Sequence, residues 1–258
     1  QLTQANETIP GVARAQLAFT SLQGERYTAI GTSQGLFLYY GEAFYDITPL
    51  DTAITGATFD TFSSQNNVTV NKTSHGLKVG RYITFTSVTP PTGYSATDFT
   101  TGAFEILTVP NDNTFTIQMR VNASGAASAS GAASINPYVE VGPTFQTLGY
   151  GWSTYLWGDS TWGTERATSN VILDPGNWSL DNFGEVLVAT IFNGKTFTWN
   201  AGASSSRTIR ASLSTSNFST SANPTASRFT LVSDRDRHLF HFGTETTIGD
   251  TATQDPMF

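Results

Sequence analysis

The chain has 258 residues, a formal net charge of −7, only 13% charged residues and no cysteine. Disulfides, thiolate metal sites and cysteine nucleophiles are thereby excluded, and the acidic balance disfavours tight nucleic-acid binding, which needs a basic surface to displace counterions. Thr, Phe, Tyr and Trp suit pleated, half-buried surfaces, and no stretch carries the sustained 3.6-residue apolar period of a long helix, so the composition reads as all-β.

The length allows one large core or two smaller ones. No run of about 18 apolar residues offers a transmembrane helix. The N-terminal Gln1-Leu2-Thr3-Gln4 has neither a basic nor an apolar region, so no signal peptide is expected. It also lacks an initiator Met, which reads as a processed chain or a piece of something longer. The absence of disulfides in a β-rich chain favours synthesis in a reducing cytoplasm.

Residues 1–50 end in a hairpin unit. Arg26-Tyr27-Thr28-Ala29-Ile30-Gly31-Thr32 reads as a strand, Ser33-Gln34-Gly35 as a turn, Leu36 to Tyr40 as a strand, and Ala43 to Ile47 as a third. Pro49 stops the run, because proline cannot donate into a ladder.

Residues 51–140 read as an inserted small β-barrel or sandwich. Its strands are Val68-Thr69-Val70, Arg81-Tyr82-Ile83-Thr84-Phe85-Thr86, a segment from Gly102 to Val109, and Thr114-Phe115-Thr116-Ile117-Gln118-Met119. Pro90-Pro91-Thr92-Gly93 and Pro110-Asn111-Asp112-Asn113 break the chain between them. Residues 122–134 are almost only Ala, Ser and Gly and read as a flexible loop.

Hairpins resume in residues 141–258. A Gly-aromatic segment carries Tyr150, Trp152, Tyr155, Trp157 and Trp162, and Trp178 follows. These six aromatics form the candidate ligand or partner surface. Val186 to Thr190 followed by Thr196-Phe197-Thr198-Trp199 is one hairpin, and Thr230 to Ser233 followed by Leu239-Phe240-His241-Phe242 is another. With Ala29 to Thr32 and Leu36-Phe37-Leu38-Tyr39, they repeat one pattern three times: apolar strand, polar turn, then x-Phe-x-aromatic. Repetition of one hairpin predicts propeller-type blades, with Phe37, Phe197 and Phe240 in equivalent buried positions. Three units do not close a propeller, so the native chain is expected to continue past Phe258.

Chemistry is harder to find. His238 and His241, three apart on one strand, point to opposite faces, and His75 sits in a glycine turn. Asp234-Arg235-Asp236-Arg237 lacks the glycine and distal Glu of a calcium loop and reads as a charged turn; Asn111-Asp112-Asn113 is likewise a turn. Glu165, Asp174, Asp181 and Glu185 lie near the tryptophans, but no spacing selects a hydrolytic pair. There is no nucleophile elbow and no phosphate-binding loop. The expectation is therefore no enzyme, no cofactor and no metal. The sequons at Asn6, Asn67, Asn71, Asn177 and Asn217 are read as unmodified.

Three strings resemble tail nozzle-like structural proteins of tailed bacteriophages. They are the segment from Gly35 to Pro49 (GLFLYYGEAFYDITP), the segment from Trp178 to Glu185, and His75-Gly76-Leu77-Lys78-Val79-Gly80 with Gly102-Ala103-Phe104-Glu105-Ile106-Leu107, the last similar to a small β-module of virion proteins. The resemblance implies a propeller scaffold with inserted domains, assembled as a ring in the virion that retains and releases DNA. It implies contact with other copies, with tail adaptor and fibre proteins, and with DNA only in passage. It carries no catalytic residues. A carbohydrate- or receptor-binding tail protein using the 150–178 aromatics is the alternative.

Overall fold

The computed structural model describes residues 8–142, 175–202, 207, 209–216, 218, 223–233 and 235–254. It divides into two compact units, Gln1–Thr48 with Val141–Phe258, and Pro49–Glu140. The all-β expectation holds: the described residues form antiparallel sheets and a closed barrel, with one short helix and isolated 3₁₀ turns.

The first unit opens with a four-stranded meander, β1 (Ala13–Thr20), β2 (Arg26–Thr32), β3 (Leu36–Tyr40) and β4 (Ala43–Asp46), paired in chain order. Local polar chemistry sets its turns. Thr32 Oγ1 accepts hydrogen bonds from the Gln34 and Gly35 amides at 3.2 and 3.0 Å, bending the chain between β2 and β3. Thr48 Oγ1 accepts from the Leu36 amide at 2.9 Å and donates to the Leu36 carbonyl at 3.2 Å, so a side chain continues the ladder where β4 has ended.

The second unit is a six-stranded barrel: β5 (Ile54–Thr61), β6 (Asn67–Asn71), β7 (Tyr82–Thr89), β8 (Phe104–Asn111), β9 (Thr114–Gln118) and β10 (Ala127–Pro137), in the circular order β10-β5-β6-β9-β8-β7. Period-two alternation fills it. Phe59, Val68, Val70, Ile83, Phe85, Phe104, Ile106, Phe115, Ile117 and Ile135 all point inward and are buried. The helix α1 (Ala96–Thr100) starts at a capping box, in which the Ser95 amide donates to Asp98 at 2.8 Å, and it drops Phe99 into the same core.

The Ala/Ser/Gly stretch at 122–134 corrects the sequence reading. From Ala127 onward it is strand, and β10 closes the barrel by pairing with both β5 and β7. Small residues serve this role because β10 shifts register several times and runs close to its neighbours. At Gly131 (φ 71°) a Cβ would stand 2.6 Å from the Thr89 carbonyl oxygen. The two ends of the unit are tied together: Leu50 bridges Tyr138, the Asp51 amide donates to the Pro137 carbonyl at 2.8 Å, and the Val139 amide donates to the Pro49 carbonyl at 3.1 Å.

The first unit continues with a second four-stranded meander, β11 (Trp178–Phe183), β12 (Val186–Ile191), β13 (Thr196–Asn200) and β14 (Ser212–Leu213), and a two-stranded sheet, β15 (Phe229–Val232) with β16 (Leu239–Phe242). The three sheets stack in series. Trp178 of β11 packs on Gly31 of β2, and its indole N–H donates to the Thr32 carbonyl at 2.9 Å. The next residue, Ser179, points to the other face and bonds to β15. Sandwiching explains why β12 is buried along Leu187–Ile191 without alternation. Four-stranded meanders packed face to face are the arrangement of propeller blades; the described sheets do not close a ring.

The expected equivalence of Phe37, Phe197 and Phe240 fails at the third position. Phe37 and Phe197 are buried, whereas Phe240 is 46% exposed. The repeat is displaced by one strand there. Phe37 and Phe197 lie on third strands with a strand on either side. Phe240 lies on β16, the second strand of its sheet, and no described strand pairs beyond it.

Candidate functional site

Of the six aromatics expected to form a surface, Tyr150, Trp152, Tyr155, Trp157 and Trp162 lie outside the described residues. Trp178 is corrected: it is 3% exposed and packs between the first two sheets. Glu165, Asp174, Asp234, Asn6 and Asn217 also lie outside the described residues. Asp181 is described, and it acts on backbone: its Oδ2 accepts from the Val232 amide at 2.7 Å.

Two clusters of titratable groups, one around Glu25 and one around Glu245, were not read from sequence. Glu25 accepts from the hydroxyls of Tyr27 and Tyr40 and from the Arg207 guanidinium at 2.6 Å, and Arg207 lies 3.8 Å over the Tyr40 ring. The bonds from Tyr27 and Tyr40, joined by the Arg207 charge, lower the Glu25 pKa. Tyr27 in turn stacks with Phe19 and meets Trp199 edge-on. Glu25 and Arg207 pair with each other within this group, leaving only the buried Arg207 Nε without a hydrogen-bond partner, so its chemistry is that of a clasp holding residue 207 to the first sheet.

Glu245 is a buried carboxylate that accepts from the Thr225 hydroxyl at 2.8 Å and from the backbone amides of Thr225, Ala226 and Gly249. Burial alone would raise its pKa. The amide and hydroxyl bonds outweigh burial and hold it at about 2. His241 contacts the Ser227 hydroxyl at 3.1 Å, and burial lowers its pKa, partly offset by the Glu245 charge. In the barrel, His75 is buried: its Nδ1 accepts from the Leu77 amide at 3.0 Å while the ring edge meets Phe115. Among the described residues no three His, Asp or Glu side chains converge in a way that could hold a metal ion. No helix among them is long and apolar enough to cross a membrane.

Among the described residues, the sheet β15–β16 presents two unlike faces. On its inner face, Thr230 is buried and its hydroxyl joins that of Thr190 at 2.9 Å, which in turn joins Thr196 at 2.8 Å. On its outer face, Phe229 pairs with Phe242 and Leu231 with Phe240, and all four are 42–49% exposed. Four large apolar side chains side by side are an unusual surface for an isolated chain. Sequence reading found the Phe-rich strand and assigned it to the core. The signal it lacked was strand number within the sheet, which alternation alone does not carry.

No family model matches the chain, and no curated protein matches it. Among solved structures, "Phage phi92 endosialidase" is similar over 86% of this chain and 32% of its own, at 17% identity and a TM-score of 0.28. This chain thus spans about a third of the length of that protein, and the likeness is too slight to bear on function.

Proposed function

We propose that the chain is a structural protein of a tailed-bacteriophage virion, a component of the tail nozzle or tail tip, and that it works by assembly without enzymatic turnover. The observation that carries this reading is the serial stack of antiparallel meanders ending in an apolar outer face at Phe229, Leu231, Phe240 and Phe242. Such a stack is a rigid spacer with a surface suited to protein contact. The order of the nozzle-like strings along the chain agrees with it.

The mechanism is geometric. Copies arranged in a closed ring enclose a channel. A net charge of −7 suits a surface past which DNA slides, because like charge keeps phosphates from binding, over a reach that shortens as salt rises. Other tail proteins, an adaptor and fibres, flank the ring, and DNA is a passenger. Quantitative mass spectrometry of purified particles tests the reading. Several copies per particle are expected, in fixed ratio to tail proteins. A chain found only in the infected cell, or one that turns over a polysaccharide, contradicts it.

A further inference from the structure

The two edges of the β15–β16 sheet are treated differently. On β15, the backbone groups that point away from β16 are answered by side chains of β11. Ser179 Oγ accepts from the Thr230 amide at 3.2 Å and donates to the Thr230 carbonyl at 3.0 Å, and Asp181 accepts from the Val232 amide. Thr230 stands opposite His241 and Val232 opposite Leu239. In an antiparallel pair, residues facing each other in this way both turn their N–H and C=O groups outward. Leu239 and His241 therefore present their backbone groups along the outer edge of β16, where no described strand lies. That strand, Leu239-Phe240-His241-Phe242, has no proline, lysine or bulge to blunt its edge.

The other two sheets indicate what belongs there. Next to β2 lies β3, with Phe37 and Tyr39; next to β12 lies β13, with Phe197 and Trp199. In both, the third strand carries aromatics at alternate positions. We propose that the outer edge of β16 accepts an added antiparallel strand of this x-Phe-x-aromatic kind from a partner polypeptide. Its main chain pairs with the Leu239 and His241 backbone groups, and its side chains cover Phe240 and Phe242. Main-chain pairing supplies affinity and the alternate side chains supply selectivity, as in strand addition generally. The inference does not depend on the chain's place in a virion.

The test uses the whole chain and a synthetic peptide with the sequence of residues 34–47, which contains β3 and β4. Amide hydrogen exchange is followed by NMR with and without peptide. The Leu239 and His241 amides are expected to exchange fast in the free chain and to slow at least tenfold on saturable peptide binding. The Phe240→Ser chain should lose that protection. A peptide N-methylated at alternate amides, which leaves the protein untouched, should fail to protect. No saturable binding, binding without protection at these two amides, or equal binding of the N-methylated peptide overturns the proposal. Protection already present without peptide, rising with protein concentration, would make a second copy the occupant and overturn the partner-strand assignment.

Discussion

The indole of Trp178 fills the space that a side chain at residue 31 would need: a Cβ built on Gly31 would stand 2.6 Å from both Cγ and Cδ1 of the ring. The glycine is there for close approach, since it lets β2 and β11 meet with a tryptophan between them and the indole N–H reach Thr32. Gly31→Ala is expected to destabilise the first unit by about 1–3 kcal/mol through overpacking. Trp178→Ala should cost about 3–5 kcal/mol through the cavity it leaves. Chemical denaturation with tryptophan fluorescence and circular dichroism measures both. A neutral Gly31→Ala would show that the two sheets do not pack as described.

The buried hydroxyls of Thr190, Thr196 and Thr230 connect the second sheet to the third. Thr190→Val removes the shared hydroxyl at nearly constant volume and strands the other two. The expected loss is about 1–3 kcal/mol. Changing Thr230 to Val in the same chain should then cost less than it does alone, because the pair is no longer intact. Strict additivity in that double-mutant cycle would contradict a coupled network.

Glu245 makes stability pH-dependent. Its pKa falls from an ordinary 4.5 to about 2 on folding. A depressed carboxylate contributes its full stabilisation above the unfolded value, and that contribution is lost as pH falls through the folded value. The difference between the two pKa values corresponds to about 3 kcal/mol, removed progressively between roughly pH 5 and pH 2. Glu245→Gln should lower stability at neutral pH and flatten this acid limb. Denaturation midpoints collected across that range check it; an unchanged limb would mean that the carboxylate is not held as described.

Excised alone, Pro49–Glu140 is expected to fold. Its core lies entirely within these residues, and its ends are joined by the Leu50–Tyr138 bridge and by Arg81, whose guanidinium donates to the Tyr138 carbonyl and to Asp51, both at 2.9 Å. Thermal unfolding of the fragment should be cooperative, and Phe99→Ala should lower its stability by about 3–5 kcal/mol. A fragment without a cooperative transition would show that the barrel needs the rest of the chain.

What the sequence discloses is strand chemistry. Residues 26–32, 36–40 and 114–118 are legible because short runs rich in apolar, aromatic and β-branched residues lie between Gly, Asn and Asp turns, and strands form there. Three features are not legible, each for a physical reason. Strand β10 is built from Ala, Ser and Gly, whose side chains carry no period, and its pairing comes from two neighbours distant in sequence. The exposure of Phe240 depends on how many strands its sheet has, a tertiary fact. The clasp of Glu25, Tyr27, Tyr40 and Arg207 joins residues up to 182 positions apart, with no local motif to announce it.

Assembly in the virion is tested most directly by electron cryomicroscopy of purified particles bearing a small tag on this chain. The account predicts extra density repeated around the tail axis near its distal end, one copy per subunit of a ring that encloses the channel. Particles that lack the tag density altogether, or that carry it only as single copies away from the axis, would contradict it.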